Sequence, residues 1–369
     1  MERYKVIVPK LNVRKAPVAD FNDKSNIITT VSDGLVLDLE EYHNVPNPGL
    51  GKWYTDGKGQ FYSGLGLVGE DLKVNKLVSL KYPWWIDNNL YSIPELWKEN
   101  EKTKVTIALL DTGISEHEDF NFNNIIGYNY LDNSANYKTD INGHGTHLAG
   151  IMIAQGKKTY GVAPNANLFV AKVCDDSGTP NIKAVKNALL DIYNSKNGAS
   201  GISIINMSFG LKTINEDEYK IKLEIESLLR QIYIEKKIIL ISSSGKIDDK
   251  KDSFPSTLNE CISVGCLNSK FERHPFSRIT KTLDIMAPGD EILSSNGINN
   301  VKKDSGTSQA AAYISSVCAL ILQRQKILIT DPEFVKKSLF ASAYSNSFPL
   351  EEYGHGIVNP NKFYTDLKN

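Results

Sequence analysis

Val105–Gly113 reads VTIALLDTG, and its reading decides the fold. The nearly continuous apolar run is that of a strand buried on both faces, and it stops abruptly at a turn. The same grammar recurs in ANLFVAKV (Ala166–Val173), ISIINMSFG (Ile202–Gly210) and KIILISSSG (Lys237–Gly245). Between these runs lie stretches with helical spacing: HGTHLAGIMIAQG from His144, NIKAVKNALLDIYNSK from Asn181 and DEYKIKLEIESLLRQIYIEKK from Asp217. Strands alternating with helices predict an α/β domain, a parallel sheet sandwiched by helices. Functional groups in such sheets gather at the carboxyl ends of the strands. Asp111, Ser208 and Gly245 fall at three such ends.

The 369 residues carry a formal net charge of −1 and are 41% hydrophobic, enough for a large core. That balance gives no basic footprint for nucleic acid and none for an anionic membrane. The N-terminus, MERYKVIVPK, has no apolar segment of a secretory signal, and Ala310–Leu322 (AAAYISSVCALIL) is too short to span a bilayer. A cytoplasmic protein is the expectation. The four cysteines, Cys174, Cys261, Cys266 and Cys318, have neither C-x-x-C spacing nor a histidine pair beside them, and are expected as reduced, buried thiols.

Residues 1–70 read as all-β: VIVPKLNVRKAP, IITTVSDGLVLDLEEY, KWYTDGKGQFYSG and LGLVG are short β-rich runs punctuated by Gly, Asp and Pro. DGKG, between KWYT and QFYS, is a hairpin-turn signal. LNVRKAP (Leu11–Pro17), VSDGLVLDL and KWYTDGKGQFYSGLGLV (Lys52–Val68) resemble a bacterial SH3-like module. The resemblance implies a small β-barrel with a docking or regulatory role. Residues 71–100 are expected to be a linker and N-terminal extension, with a helix near Pro94, and residues 101–369 the main domain.

Three segments carry the chemistry: IALLDTGI with Asp111, NGHGTHLAG with His144, and DSGTSQAAA with Ser308. Singly, each has a plain alternative: an Asp as a cap or turn residue, a His in a turn, a Ser as a helix N-cap. Together they supply what nucleophilic catalysis needs. A serine hydroxyl attacks once a base takes its proton, an imidazole can take that proton and return it to the leaving amine, and a buried carboxylate fixes the imidazole tautomer. Glycines beside His144 and before Ser308 are expected to let substrate backbone approach. A helix N-terminus at Ser308 favours a nearby oxyanion.

From about residue 83 onward the chain resembles the subtilisin-like serine peptidases. The motifs are VTIALLDTGI, NGHGTHLAGIM, GVAPNANLFVAKV, INMSFG, DIMAPGDEI, SGTSQAAAYISSVCALI and YGHGIVNP. The resemblance implies Asp111 as orienting carboxylate, His144 as general base, Ser308 as nucleophile and His147 as a structural histidine. It implies that Ser208, Phe209 and Gly210 pair with substrate backbone, that Ser243, Ser244 and Gly245 form the opposite wall, and that Ser177 and Gly178 in DDSGTP belong to a second substrate-pairing strand. The partner is then a peptide or protein substrate in extended conformation, bound by β-augmentation. His117 and His274 have no motif and are expected at the surface.

The departures are as telling as the matches. Gln309 and Ala312 replace the usual methionine and proline after the nucleophile, and the N-terminal segment does not read like the family's inhibitory propeptide. Lys246 fills the slot of the asparagine that donates to the oxyanion. Two placements are open for it: an ammonium replacing the amide donor, or a solvent-facing side chain paired with Asp248 or Asp249. Three functions follow: an active endopeptidase, a pseudoprotease that binds extended peptides, and a latent protease switched on by a partner. No cofactor is expected; calcium is implied only by the resemblance, and the oxygen-rich DFNFNN (Asp119–Asn124) reads more simply as a loop.

Overall fold

The computed structural model describes residues 82–88, 90–99, 101–247, 253–325, 331–345 and 348–368, with the backbone of seven strands between residues 2 and 69. The chain divides into two units, Met1–Pro83 with Ser345–Ser347, and Trp84–Tyr344 with Phe348–Asn369.

In the first unit the strands are β1 (Glu2–Val6), β2 (Lys10–Arg14), β3 (Ile27–Ser32), β4 (Val36–Tyr42), β5 (Trp53–Thr55), β6 (Phe61–Ser63) and β7 (Leu67–Gly69). They form one antiparallel sheet in the order β3-β2-β6-β5-β4-β1-β7. β5 and β6 flank DGKG and set Tyr54 opposite Tyr62. The turn itself lies outside the described residues.

In the second unit, residues 84–99 pack into the core: Trp85, Ile86, Tyr91, Ile93 and Leu96 are buried. Helix α1 (Ile93–Trp97) carries Pro94 in its first turn, where a missing N–H costs nothing. The Trp97 indole donates to Val162 O at 2.9 Å.

The strands of this unit are β8 (Thr106–Asp111), β9 (Ile125–Asn129), β10 (Asn167–Lys172), β11 (Ile202–Met207), β12 (Ile239–Ser243), β13 (Cys261–Leu267) and β14 (Ile285–Pro288). They form a seven-stranded sheet in the order β14-β13-β12-β11-β8-β10-β9, every pairing parallel. A two-stranded antiparallel ribbon follows, β15 (Ile292–Asn296) with β16 (Asn300–Asp304). The chain runs from β8 out to the edge strand β9, returns to β10 between the two, then crosses to β11 on the other side of β8. The strand order reverses at β8, so a crevice opens beyond its carboxyl end.

The helices are α2 (His144–Ile153), α3 (Ile182–Asn194), α4 (Glu216–Glu235), α5 (Thr307–Leu322), α6 (Pro332–Ser342), α7 (Leu350–Tyr353) and α8 (Pro360–Lys368). Ala108, Leu110, Phe169, Ala171, Ile205 and Met207 form one apolar cluster with the inner faces of α3 and α4. Alternate residues of a strand point the opposite way, and on that second face α5 packs across β11 to β14 while α2 packs on β8 and α5. Burying one such Ile or Leu side chain is worth about 1.5–3 kcal/mol, so both sheet faces anchor the strand ends that carry the site. α5 is apolar nearly all round and runs through the interior: all its residues are buried except Ser308.

Candidate active site

Asp111 ends β8 and is 1% exposed. Its Oδ1 accepts from Thr112 N at 2.8 Å, from Thr112 Oγ1 at 3.2 Å and from His144 Nδ1 at 2.8 Å. With Nδ1 donating to a carboxylate, Nε2 is left as the basic nitrogen. The Asp111 side chain is 2% exposed while the His144 side chain keeps 29% of its surface open. Burial acts most strongly on His144 and pulls its pKa down. Asp111, by charge and hydrogen bond, together with Asp304 and Asp140, outweighs it, and the net shift is upward.

His144 is the first residue of α2, and the preceding turn is tied by side chains. Gly143 takes φ +86°, a left-handed conformation that favours glycine. Asp140 Oδ1 accepts from Gly143 N at 2.9 Å, and its Oδ2 accepts from Thr146 N at 2.8 Å and Thr146 Oγ1 at 2.5 Å. Asn142 Oδ1 accepts from His144 N at 3.2 Å. These bonds satisfy donors that a helix start otherwise leaves orphaned. The glycine after His144 serves packing and not a substrate path, contrary to the sequence expectation. A Cβ at Gly145 would stand 2.2 Å from Gly113 O, so its absence lets α2 close on the Asp111 turn.

Ser308 lies in the first turn of α5. Gly306, the N-cap, offers no side chain to the first N–H groups, so the positive end of the helix is left open. Ser308 Oγ donates to Ser208 O at 3.2 Å, and Ser208 Oγ donates to Ser308 O at 3.2 Å. Behind them Asn206 Nδ2 donates to Ser208 Oγ, and Ser315 Oγ donates to Asn206 Oδ1, both at 2.9 Å. The start of α5 is therefore pinned to the end of β11 by a buried polar relay. The Ser308 hydroxyl is turned to Ser208 and not to the His144 ring. Asp140, Asn206 and Ser315 were missed in the sequence reading; an Asn inside ISIINM and a Ser inside an apolar helix were the available signals.

Beyond β11, Ser208 and Phe209 are buried and Gly210 half-buried. The Phe209 side chain belongs to the apolar cluster under α3 and α4, so only its backbone faces outward from the core. Across the crevice, Ser243 and Ser244 are buried, and Ser244 N donates to Val264 O at 3.0 Å. Gly245 takes φ +90° and its carbonyl accepts from Arg278 N at 3.2 Å. Lys246 is exposed, its backbone bridging antiparallel to Ser277. Asp248 and Asp249, its expected partners, lie outside the described residues.

Ser177 and Gly178 depart from expectation. Residues 175–179 form a tight turn and no strand, with Gly178 at φ +85°. The physical reason is Asp175, whose Oδ1 accepts from Ser177 N at 2.9 Å, Ser177 Oγ at 2.6 Å and Thr179 N at 3.0 Å. Such Asx-type bonds compete with strand pairing.

His147 is buried, its Nε2 lies 3.2 Å from Lys302 O, and burial pushes its pKa down to about 4. His117, expected at the surface, is buried: its Nδ1 accepts from Asp119 N at 3.1 Å, so Nε2 donates to Asn300 O at 2.9 Å. Both ring nitrogens satisfied is what makes burial tolerable. His274 is half-buried beside Asp290, with 3.5 Å between His274 Nε2 and Asp290 Oδ1.

The oxygens of DFNFNN do not fit a calcium cradle. The buried Asp119 carboxylate accepts backbone N–H groups from Lys157 at 2.6 Å and from Lys158 and Thr159 at 3.1 Å, and Asn121 Oδ1 accepts from Asn123 N. Among the described residues no three His, Cys, Asp or Glu side chains are placed to hold a metal ion. A polar cavity of about 330 Å³ beside Tyr130 and Asp191 shares no residue with the site. Its carboxylate is already bonded by the Tyr130 hydroxyl and the Asn197 amide.

A carboxylate–imidazole pair and a serine at a helix start, gathered where a parallel sheet reverses its order, define the hydrolase class that works through a serine nucleophile. Residues 102–356 match the family model described as the subtilase family. The chain belongs to the subtilase family, the class of subtilisin-like serine endopeptidases. It is 31% identical over 273 residues to an intracellular serine protease of Paenibacillus polymyxa, covering 70% of this chain and 78% of that protein. It is 29% identical over 271 residues to the major intracellular serine protease of Bacillus subtilis (strain 168), covering 70% and 81%. It is 28% identical over 262 residues to subtilisin DY of Bacillus licheniformis, covering 69% and 89%. No described helix is long and apolar enough to cross a membrane.

Proposed function

We propose that this chain hydrolyses peptide bonds in extended substrates through Asp111, His144 and Ser308, by way of an acyl-enzyme. The observation that supports it most is the 2.8 Å bond between the buried Asp111 carboxylate and the part-open His144 ring. In the reacting complex the Ser308 hydroxyl swings from Ser208 O to His144 Nε2. Its oxygen attacks the scissile carbonyl as its proton passes to the ring. The new oxyanion faces the Ser308 N–H at the uncapped start of α5. The intermediate collapses, His144 returns the proton to the leaving amine, and Ser308 holds the acyl group. Water, deprotonated by His144, then releases the acid and restores the hydroxyl. No step calls on a cofactor.

Lys246 stands in for the second oxyanion donor. Its exposure supports a role as positive charge at the rim more than as a fixed, buried donor. Losing such a fixed donor costs about 10²–10³-fold in subtilisin itself, so the analogy predicts a slowed enzyme that still works. One observation favours the alternative, a peptide-binding pseudoprotease or partner-activated form: the Ser308 hydroxyl is bonded to Ser208 O in the resting structure. The strands of residues 2–69 are read as an SH3-like module that docks or regulates. A cytoplasmic site of action is supported by the two relatives named intracellular.

The test is a fluorophosphonate probe on purified protein, Ser308→Ala and Lys246→Asn. Labelling of the wild type and not of Ser308→Ala is expected. If only Lys246→Asn labels, the lysine is an off-switch and the partner-activated form stands; if neither labels, the peptidase reading of the isolated chain falls.

A further inference from the structure

β10 ends in a lysine that no step of the reaction uses. Lys172 is 5% exposed, and its register partner in the parallel pairing with β8 is Asp111. Residues in register on neighbouring strands point to the same face, so the lysine stem runs beside the carboxylate that orients His144. The stem also packs on the turn after Asp111: a Cβ on Gly113 would stand 3.3 Å from Lys172 Cδ. The ammonium donates to Thr112 O at 2.6 Å. Its ion pair with Asp176 is longer, 3.5 Å, and the Asp176 side chain is 57% open. Asp111, Asp140 and Asp175 share this corner, where they act together with Lys172 on Cys174.

Taking a cation out of water is costly unless strong partners meet it. A methionine at this position would fill the same space without that cost. What the ammonium meets is a carbonyl, and that carbonyl belongs to the residue that holds Asp111.

Thr112 is fixed at every polar atom. Its N–H and its hydroxyl donate to Asp111 Oδ1 at 2.8 and 3.2 Å. Its Oγ1 accepts from Gly145 N of α2 at 2.9 Å, and its O accepts from Lys172 of β10. The first two bonds orient the carboxylate, and the other two tie Thr112 to its neighbours. Without the β10 tie the Thr112 carbonyl is an unpaired acceptor in a buried residue. Its peptide is then free to turn toward another donor and to draw the two bonds away from Oδ1. The 2.8 Å bond from His144 Nδ1 ends on that same oxygen.

We propose that Lys172 is a positioning residue for the Asp111–His144 pair: by holding Thr112 O it fixes the two bonds that set Asp111 Oδ1 beneath the ring. Its effect on rate rests on the endopeptidase reading of the site; its effect on the Asp111–His144 bond does not.

The test is Lys172→Met in the full-length protein, with Lys172→Gln, one atom shorter than lysine, as a second variant. Methionine keeps the bulk, and the partner left behind, Asp176, is open to water. The fold should therefore hold, with a melting temperature within about 4 °C of the wild type. With a fluorogenic peptide kcat should fall about 10–100-fold while KM stays within about threefold, because geometry is lost and substrate binding is not. Proton NMR gives the second readout. A proton held between an imidazole and a buried carboxylate resonates far downfield, and the His144 Nδ1–H signal should broaden or move upfield in the variant. A kcat within about threefold of the wild type, or a downfield signal that stays in place, overturns the proposal. Failure of both variants to fold also overturns it, since Lys172 is then a folding residue. If the wild type neither hydrolyses the peptide nor takes the probe at Ser308, the endopeptidase reading falls, and the downfield signal alone decides the role of Lys172.

Discussion

Two helices begin in the active site, and they begin in opposite ways. At the start of α2 the backbone donors are saturated: Asp140 takes Gly143 N and Thr146 N, and Asn142 takes His144 N. At the start of α5 the N-cap is a glycine with no side chain to give, and no side chain caps the first donors. A helix start carries partial positive charge. Beside His144, which must accept a proton and become cationic, that charge is masked by a carboxylate. Beside Ser308, where negative charge develops, it is left bare. The same local element has been tuned twice, once for each sign of charge the reaction creates.

The comparison can be broken most severely at its shared axis. Asp111→Asn keeps the shape but removes the acceptor that fixes the His144 tautomer, and kcat should fall about 10⁴-fold, the scale known for serine peptidases. A stopped assay with a fluorogenic peptide reads it; a loss under tenfold would mean that the pair is structural. Asp140→Ala strips the mask from α2. It orphans two buried N–H groups and the Thr146 hydroxyl, at about 1–3 kcal/mol for each group left unpaired. The melting temperature should drop by roughly 6–18 °C, at about 2 °C per kcal/mol for a domain of this size, and kcat should fall about 100-fold as the ring shifts. An unchanged melting temperature would show that water replaces the carboxylate.

The opposite end can be sharpened in reverse. Gly306→Ser gives α5 the cap that it lacks. Gly306 has φ 178°, an extended conformation open to any residue, and the nearest obstacle to a Cβ is the end of the Gln309 side chain. Activity should fall about tenfold with the melting temperature nearly unchanged, since the new hydroxyl competes for the donors that the oxyanion uses. Equal loss of both would make the open cap a matter of packing. The smallest effect is in pH. Only the neutral ring accepts a proton, and Asp111 with Asp304 and Asp140 holds the His144 pKa above its usual value. The acid limb of kcat/KM should therefore rise through an apparent pKa above about 6.5, and Asp304→Asn should move that limb downward. A limb that stays in place would exclude Asp304 from the field at the ring.

Much of this was legible in the sequence for a physical reason. Parallel strands covered on both faces read as unbroken apolar runs, so VTIALLDTG and its three counterparts announce the sheet. Asp111, His144 and Ser308 stand at the ends of such runs among glycines, where local signals are strongest. Asn206 and Ser315 bond across a tertiary contact, so a polar residue in an apolar strand or helix marks an oddity without naming its partner. Asp140 acts within its own turn, on Gly143 and Thr146, where one acidic loop residue looks like any other. Ser177 and Gly178 were read as strand because the position suggested it. The DDSG chemistry, an Asp capping its own following residues, prevailed. His117 was read as surface because burial of an imidazole depends on what meets its two nitrogens, which no single stretch of sequence states.

The Asp119 carboxylate, buried under the N–H groups of Lys157, Lys158 and Thr159, has a consequence for the protein's own survival. A protease is its own most concentrated substrate, and a loop is cut only after straightening into the groove of a neighbouring molecule. The connection from α2 to β10 would have to surrender every one of those bonds to do so. Self-digestion should therefore spare it, and in Asp119→Ala mass spectrometry of the aged enzyme should find the first cut between residues 155 and 161. A first cut that stays elsewhere in the variant would show that the anchor shapes the loop without guarding it.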